Sequence, residues 1–120
     1  MTAARNSKLG RYGEDVAARR LAALGMTVLD RNWRGPSGEI DLVLRDGNTL
    51  VICEVKTRTT VDRGHPLEAV DGKKARRLRR LAAEWIEVHH VRPTDVRIDL
   101  VGVLQPGRGA ARIEHLRGIG

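Results

Sequence analysis

The chain has 120 residues and a net charge of +7, with 22 lysines and arginines against 15 aspartates and glutamates. That length makes one ordinary domain, and the lone cysteine, Cys53, excludes an internal disulfide or a cysteine-rich zinc site and suits a reducing compartment. No apolar run approaches the ~20 residues that span a bilayer, and no apolar signal segment opens the sequence, so the expectation is a cytoplasmic protein without a membrane partner.

With no Phe, one Tyr and two Trp, the core must be built from Val, Leu, Ile and Ala. Residues 1–7 are polar and expected to fray. Over residues 8–24, Leu9, Tyr12, Val16, Ala17, Leu21 and Leu24 recur at helical spacing. They predict a helix with Tyr12 on its buried face, capped by Ser7 and ended by Gly25. Residues 26–29 read as a short strand leading into Asp30-Arg31-Asn32-Trp33-Arg34, and residues 35–38 as a loop. Residues 39–45 and 49–57 are the clearest strands, joined by a turn at Asp46-Gly47-Asn48. Ile40, Leu42 and Leu44 are expected on one face and Val43 on the other. Val51, Cys53 and Val55 alternate with Leu50 and Ile52. Strands apolar on both faces belong inside a sheet covered by helices on each side.

Residues 59–65 read as an irregular polar loop. Pro66 is suited to open a helix, and residues 67–70 suggest a separate turn. From Lys73 onward, Leu78, Leu81, Ala82, Trp85, Ile86 and Val88 predict a helix ending near His90. Residues 96–104 and 111–116 complete the strands. The order of helix, three strands, helix and two strands is that of a single mixed α/β sandwich over residues 1–120.

Charges interrupt the most apolar strands at three places: Asp41, Glu54 and Lys56. A two-residue turn at Gly47-Asn48 or a four-residue loop over 46–49 pairs residues whose numbers add to 95, as 41 and 54 do. Asp41 and Glu54 would then face each other with Cβ atoms roughly 4.5–5.5 Å apart. Lys56 shares the face of Glu54 by alternation. A three-residue loop would slip this register by one. Opposed carboxylates repel, and a hard divalent cation resolves the conflict. A neighbouring lysine can orient water or stabilise charge on a phosphate, which is the equipment for metal-assisted phosphodiester hydrolysis. The alternative is an ion-pair cluster in which Lys56 neutralises the two acids.

Asp41 followed after twelve residues by Glu54-Val55-Lys56 resembles the core of the PD-(D/E)xK nuclease superfamily. The longer pattern resembles the YraN-like bacterial family. It is carried by Gly13-Glu14, Arg31-Asn32-Trp33-Arg34, Gly38-Glu39-Ile40-Asp41-Leu42-Val43 and Glu54-Val55-Lys56-Thr57-Arg58. Gly64-His65-Pro66, Lys73-Lys74 and Arg97-Ile98-Asp99 extend it. The resemblance implies a restriction-endonuclease-like mixed β-sheet flanked by helices, akin to archaeal Holliday-junction resolvases. It implies Mg²⁺ or Mn²⁺ held by Asp41, Glu54 and the Val55 carbonyl, with Lys56 at the attacking water. Glu14 of the first helix matches an assisting glutamate, and a homodimer follows by analogy. Ile52 and Ile98 stand where the family often has Phe.

The segment Lys73-Lys74-Ala75-Arg76-Arg77-Leu78-Arg79-Arg80 carries six positive side chains in eight residues. Like charges at this spacing disfavour an isolated helix, which phosphates would relieve. Lys73, Lys74, Arg76, Arg77 and Arg80, with Arg58 and Arg63 after the Glu-x-Lys strand, are the candidate nucleic-acid contacts. Trp33 could stack on a base or pack. Trp85 belongs in the core, and Glu39 is expected to pair with Arg34 or Arg58. So few aromatics favour backbone and shape recognition over base stacking. The leading expectation is a nuclease for structured or branched DNA. A non-catalytic nucleic-acid-binding module with a relict site is the alternative, and an adaptor for an acidic protein is a third reading.

Overall fold

A computed structural model describes residues 8–59 and 71–119. Helix α1 (Lys8–Ala23) leads to strands β1 (Thr27–Gly35), β2 (Gly38–Asp46) and β3 (Thr49–Arg58). Helix α2 (Gly72–His89) then connects to β4 (Asp95–Leu104) and β5 (Arg112–Leu116). The predicted start at residues 1–7, and the loop and turn expected within 60–70, lie outside the described residues.

The sheet order is β1-β2-β3-β4-β5, with β3 and β4 parallel and the other neighbours antiparallel. A parallel pair needs a crossover connection, and α2 lies within it. Among the described residues, one helix covers each face. Val16, Ala17 and Leu21 of α1 pack with Leu42, Leu44, Val51, Cys53, Val101 and Val103. Leu78, Leu81, Ala82 and Trp85 of α2 pack with Ile40, Val43, Leu50, Ile52 and Ile98. Each fully buried leucine contributes roughly 1.5–3 kcal/mol by leaving water. The result is an α/β fold compatible with the restriction-endonuclease-like architecture. No described helix is long and apolar enough to cross a membrane.

Local chemistry sets the ends of these elements. Gly25 (φ 100°) closes α1, with its amide on the Ala22 carbonyl and the Met26 amide on the Leu21 carbonyl. Gly47 (φ 63°) takes the first central position of the two-residue turn between β2 and β3. Asp71 caps α2 by accepting the Lys74 amide at 2.9 Å, a bond that holds its carboxyl below the usual range.

Three expectations are corrected. Tyr12 is 40% exposed, and Leu24 and Val88 are exposed as well. The buried face of α1 runs through Gly13, Glu14, Val16, Ala17 and Leu21 instead. The short strand expected at 26–29 is one nine-residue strand reaching Gly35, paired with β2 as far as Gly38. Ile40 does not share a face with Leu42 and Leu44, but packs with Val43 on the α2 side. Asn32, between the pairs Arg31–Leu42 and Trp33–Ile40, takes a left-handed conformation (φ 51°) opposite Asp41. The register is continuous across Asn32, and the irregularity of this strand pair falls between Val28 and Asp30.

Candidate active site

The site begins where the β2–β3 hairpin opens. The ladder runs from Asp46–Thr49 to Leu42–Cys53, in the register whose numbers add to 95. Asp41 and Glu54 are the next residue on each strand. Both are buried, at 3% and 5% exposure. Asp41 Oδ2 accepts the Val55 amide at 2.8 Å, so its carboxylate spans the opening. Cys53 points away from Glu54 into the α1-side core. Burial pushes its thiol well up, and Asp99, Asp41 and Glu54 add to the effect. The two carboxylates therefore act on one electrostatic neighbourhood.

Glu54 is held from α2. Lys74 Nζ lies 2.5 Å from Glu54 Oε2, in a largely buried ion pair. Lys56 is half-buried beside them. Burial, then the neighbouring Lys74 ammonium, push Lys56 below the ordinary lysine range, while Glu54 and Asp41 pull it up. Two lysines and two carboxylates thus meet under the first turn of α2.

Glu14 is buried midway along α1. Its place follows from Gly13. A Cβ on Gly13 would fall 1.8 Å from Thr57 Oγ1, so only glycine lets the helix approach β3 this closely. Among the described residues, no three acidic, histidine or cysteine side chains gather as a ready metal cage. Glu14 is therefore not brought together with Asp41 and Glu54 as one ligand set. Asp41 and Glu54 themselves fit a hard divalent cation in charge and donor type. The Lys74 ammonium supplies positive charge at that place.

Asp71, Lys73, Lys74, Arg77 and Arg80 line a cavity of about 350 Å³ at the start of α2. Lys73, Arg76, Arg77 and Arg80 are exposed, whereas Lys74 turns inward. Arg58 ends β3 half-buried, and its Nε has no hydrogen-bond partner among the described residues. Arg63 lies outside the described residues. Trp33 packs against the α2-side core and meets His89 edge-on at 6.2 Å. Glu39 accepts from Arg34 at 3.1 Å.

A second polar centre escaped the sequence reading. Asp99 is fully buried in β4 beside Cys53. Its carboxylate accepts from Arg97 Nε (2.9 Å) and Nη2 (3.1 Å), His115 Nε2 (2.8 Å) and the Gly118 amide (3.1 Å). Arg97 also reaches Asp46 at 3.0 Å, tying β4 to the hairpin turn. The available signal was Arg97-Ile98-Asp99, two charges at alternate positions in a strand that is apolar from Leu100 to Leu104.

The model of the uncharacterised protein family UPF0102 matches residues 13–103. The chain belongs to the UPF0102 family. A UPF0102 protein of Nocardioides sp. is 55% identical over 98% of this chain and 95% of its own length. One from Streptomyces coelicolor is 61% identical, covering 92% and 87%. One from Beutenbergia cavernae is 58% identical, covering 93% and 95%. The UPF0102 match takes in Glu14, Asp41, Glu54, Lys56, Lys74 and Asp99, while His115 falls beyond it.

Proposed function

We propose that the protein is a divalent-metal-dependent endonuclease acting on structured or branched DNA. The observation that carries this reading is the pair of buried carboxylates, Asp41 and Glu54, at the hairpin opening with Lys56 beside them and a basic groove above. Mg²⁺ or Mn²⁺, held by Asp41 and Glu54 with the Val55 carbonyl, would supply Lewis-acid polarisation of the phosphate and an acidified water. Lys56 orients the attacking water or stabilises charge developing on the phosphate. Glu14, from α1, helps fix the water's position. Lys73, Arg76, Arg77 and Arg80 hold the backbone phosphates, with Arg58 at the end of β3 and Arg63 as a further contact. This work suits a cytoplasmic protein, and a homodimer would present two sites to a branched substrate.

A second reading has its own support. Glu54 is neutralised by Lys74 within the chain, as in a nucleic-acid-binding module with a relict site. Calorimetry separates the two. Divalent-cation binding that disappears in Glu54→Ala is expected of the enzyme. DNA binding indifferent to divalent cations, with no cation bound by the wild type, identifies the module.

A further inference from the structure

Lys74 belongs to two sites at once. Its ammonium is paired with Glu54, with the lysine side chain 18% and the glutamate side chain 7% exposed. The same residue forms part of the wall of the basic groove with Lys73, Arg77 and Arg80. Its backbone is fixed, since its amide donates to the Asp71 cap. The side chain is a flexible four-carbon stem ending in a point charge. Of the six cations in the run from Lys73 to Arg80, Lys74 has a described contact with the hairpin carboxylates.

A buried carboxylate needs a cationic partner, and a divalent cation on Glu54 would compete with Lys74 for the same oxygen. The displaced ammonium would also be repelled by the cation and by Lys56, whose charge already opposes that of Lys74. The groove that Lys74 borders is the adjacent place where a phosphate could receive it.

We propose that Lys74 is the exchangeable counter-ion of Glu54: it yields the carboxylate to a divalent cation and turns to a backbone phosphate in the groove. This inference rests on the metal-dependent reading above. It makes Lys74 a positioning residue that couples the two ligands. Phosphate in the groove draws Lys74 from Glu54 and favours the cation, and the cation favours phosphate by the same factor.

The test uses the full chain and Mn²⁺ alone, by calorimetry. Lys74→Gln removes the competitor, so Mn²⁺ should bind about tenfold more tightly than to wild type. Arg79→Gln, which removes an exposed charge of the same helix outside the groove wall, should leave Mn²⁺ affinity unchanged. A labelled duplex, followed by anisotropy with Ca²⁺, should bind wild type about fivefold better when the cation is present. Lys74→Gln should lose that gain. Unchanged or weaker Mn²⁺ binding by natively folded Lys74→Gln overturns the proposal. If Lys74→Gln does not fold, Lys74→Arg serves: its planar fork grips Glu54 more firmly, so Mn²⁺ affinity should fall below wild type, and no fall overturns the proposal. Wild type that binds Mn²⁺, combined with either failure, sinks the Lys74 inference only. Wild type and variants that all ignore Mn²⁺ sink the nuclease reading as well.

Discussion

Asp41 accepts the Val55 amide at 2.8 Å across the point where the β2–β3 ladder ends. A side chain there does the work of a ladder carbonyl, beside the role in the site proposed for the same carboxylate. The two roles separate by substitution. Asp41→Asn keeps an amide oxygen for Val55 and should unfold in urea within about 1 kcal/mol of wild type. Asp41→Ala leaves a buried donor unpaired and should cost about 1–3 kcal/mol. Equal stability of the two variants would contradict this account of the hairpin opening.

The approach of α1 to β3 sets where Glu14 lies. Gly13→Ala brings a methyl group against Thr57 and should destabilise by about 1–3 kcal/mol despite the better helix propensity of alanine. Thr57→Gly removes the obstruction. The double variant should therefore lose less than the two single losses combined, as measured by denaturant midpoints. Additive losses would mean that the two residues do not limit the approach.

The Asp99 centre makes stability depend on acid. Burial raises its carboxyl, but hydrogen bonds from Arg97, His115 and the Gly118 amide outweigh burial and leave it below the usual range. Folding then releases protons between the lowered value and the ordinary aspartate value, about 4. The stabilisation is complete above that ordinary value and disappears as pH falls through the folded one. Urea midpoints should drop below about pH 4. Asp99→Asn should flatten that part of the profile and cost about 3 kcal/mol at neutral pH, because Arg97 loses its buried partner. An unchanged acid limb in Asp99→Asn would remove Asp99 from the explanation.

The hairpin was legible in the sequence because a two-residue turn and period-two alternation fix register over short distances. Gly47-Asn48 therefore located Leu42 opposite Cys53, and Asp41 and Glu54 one step beyond. The place of Ile40 is not legible from alternation alone, since Ile40 packs with the α2-side core while Leu42 and Leu44 pack with the α1-side core. Tyr12 was misassigned because its spacing suited an apolar stripe, while the close contact with β3 is made through Gly13. The Lys74–Glu54 pair was not legible: it depends on how α2 docks across the sheet, a tertiary fact that a run of six cations does not encode. Asp99 was similarly hidden, since its partners Arg97, His115 and Gly118 come together only through the β4–β5 pairing.

The exposed cations of α2 should be read through salt. Replacing Lys73, Arg77 and Arg80 singly by Gln should weaken binding to duplexes of different sequence to similar extents. Each replacement of a phosphate-contacting residue should reduce the slope of log affinity against log salt by about 1. A sequence-dependent loss, or an unchanged slope, would place phosphates elsewhere on the protein.

Cleavage tests the central claim most directly. Labelled linear, nicked and four-way-junction DNA should be incubated with wild type and with Asp41→Asn, in Mg²⁺, in Mn²⁺ and in chelator. The account predicts cation-dependent cleavage by wild type, strongest on the branched substrate, and at least a hundredfold loss in Asp41→Asn at unchanged fold, roughly the loss of one charge-stabilising group. Cleavage that survives in Asp41→Asn or in chelator, or no cleavage of any substrate by wild type, would contradict it.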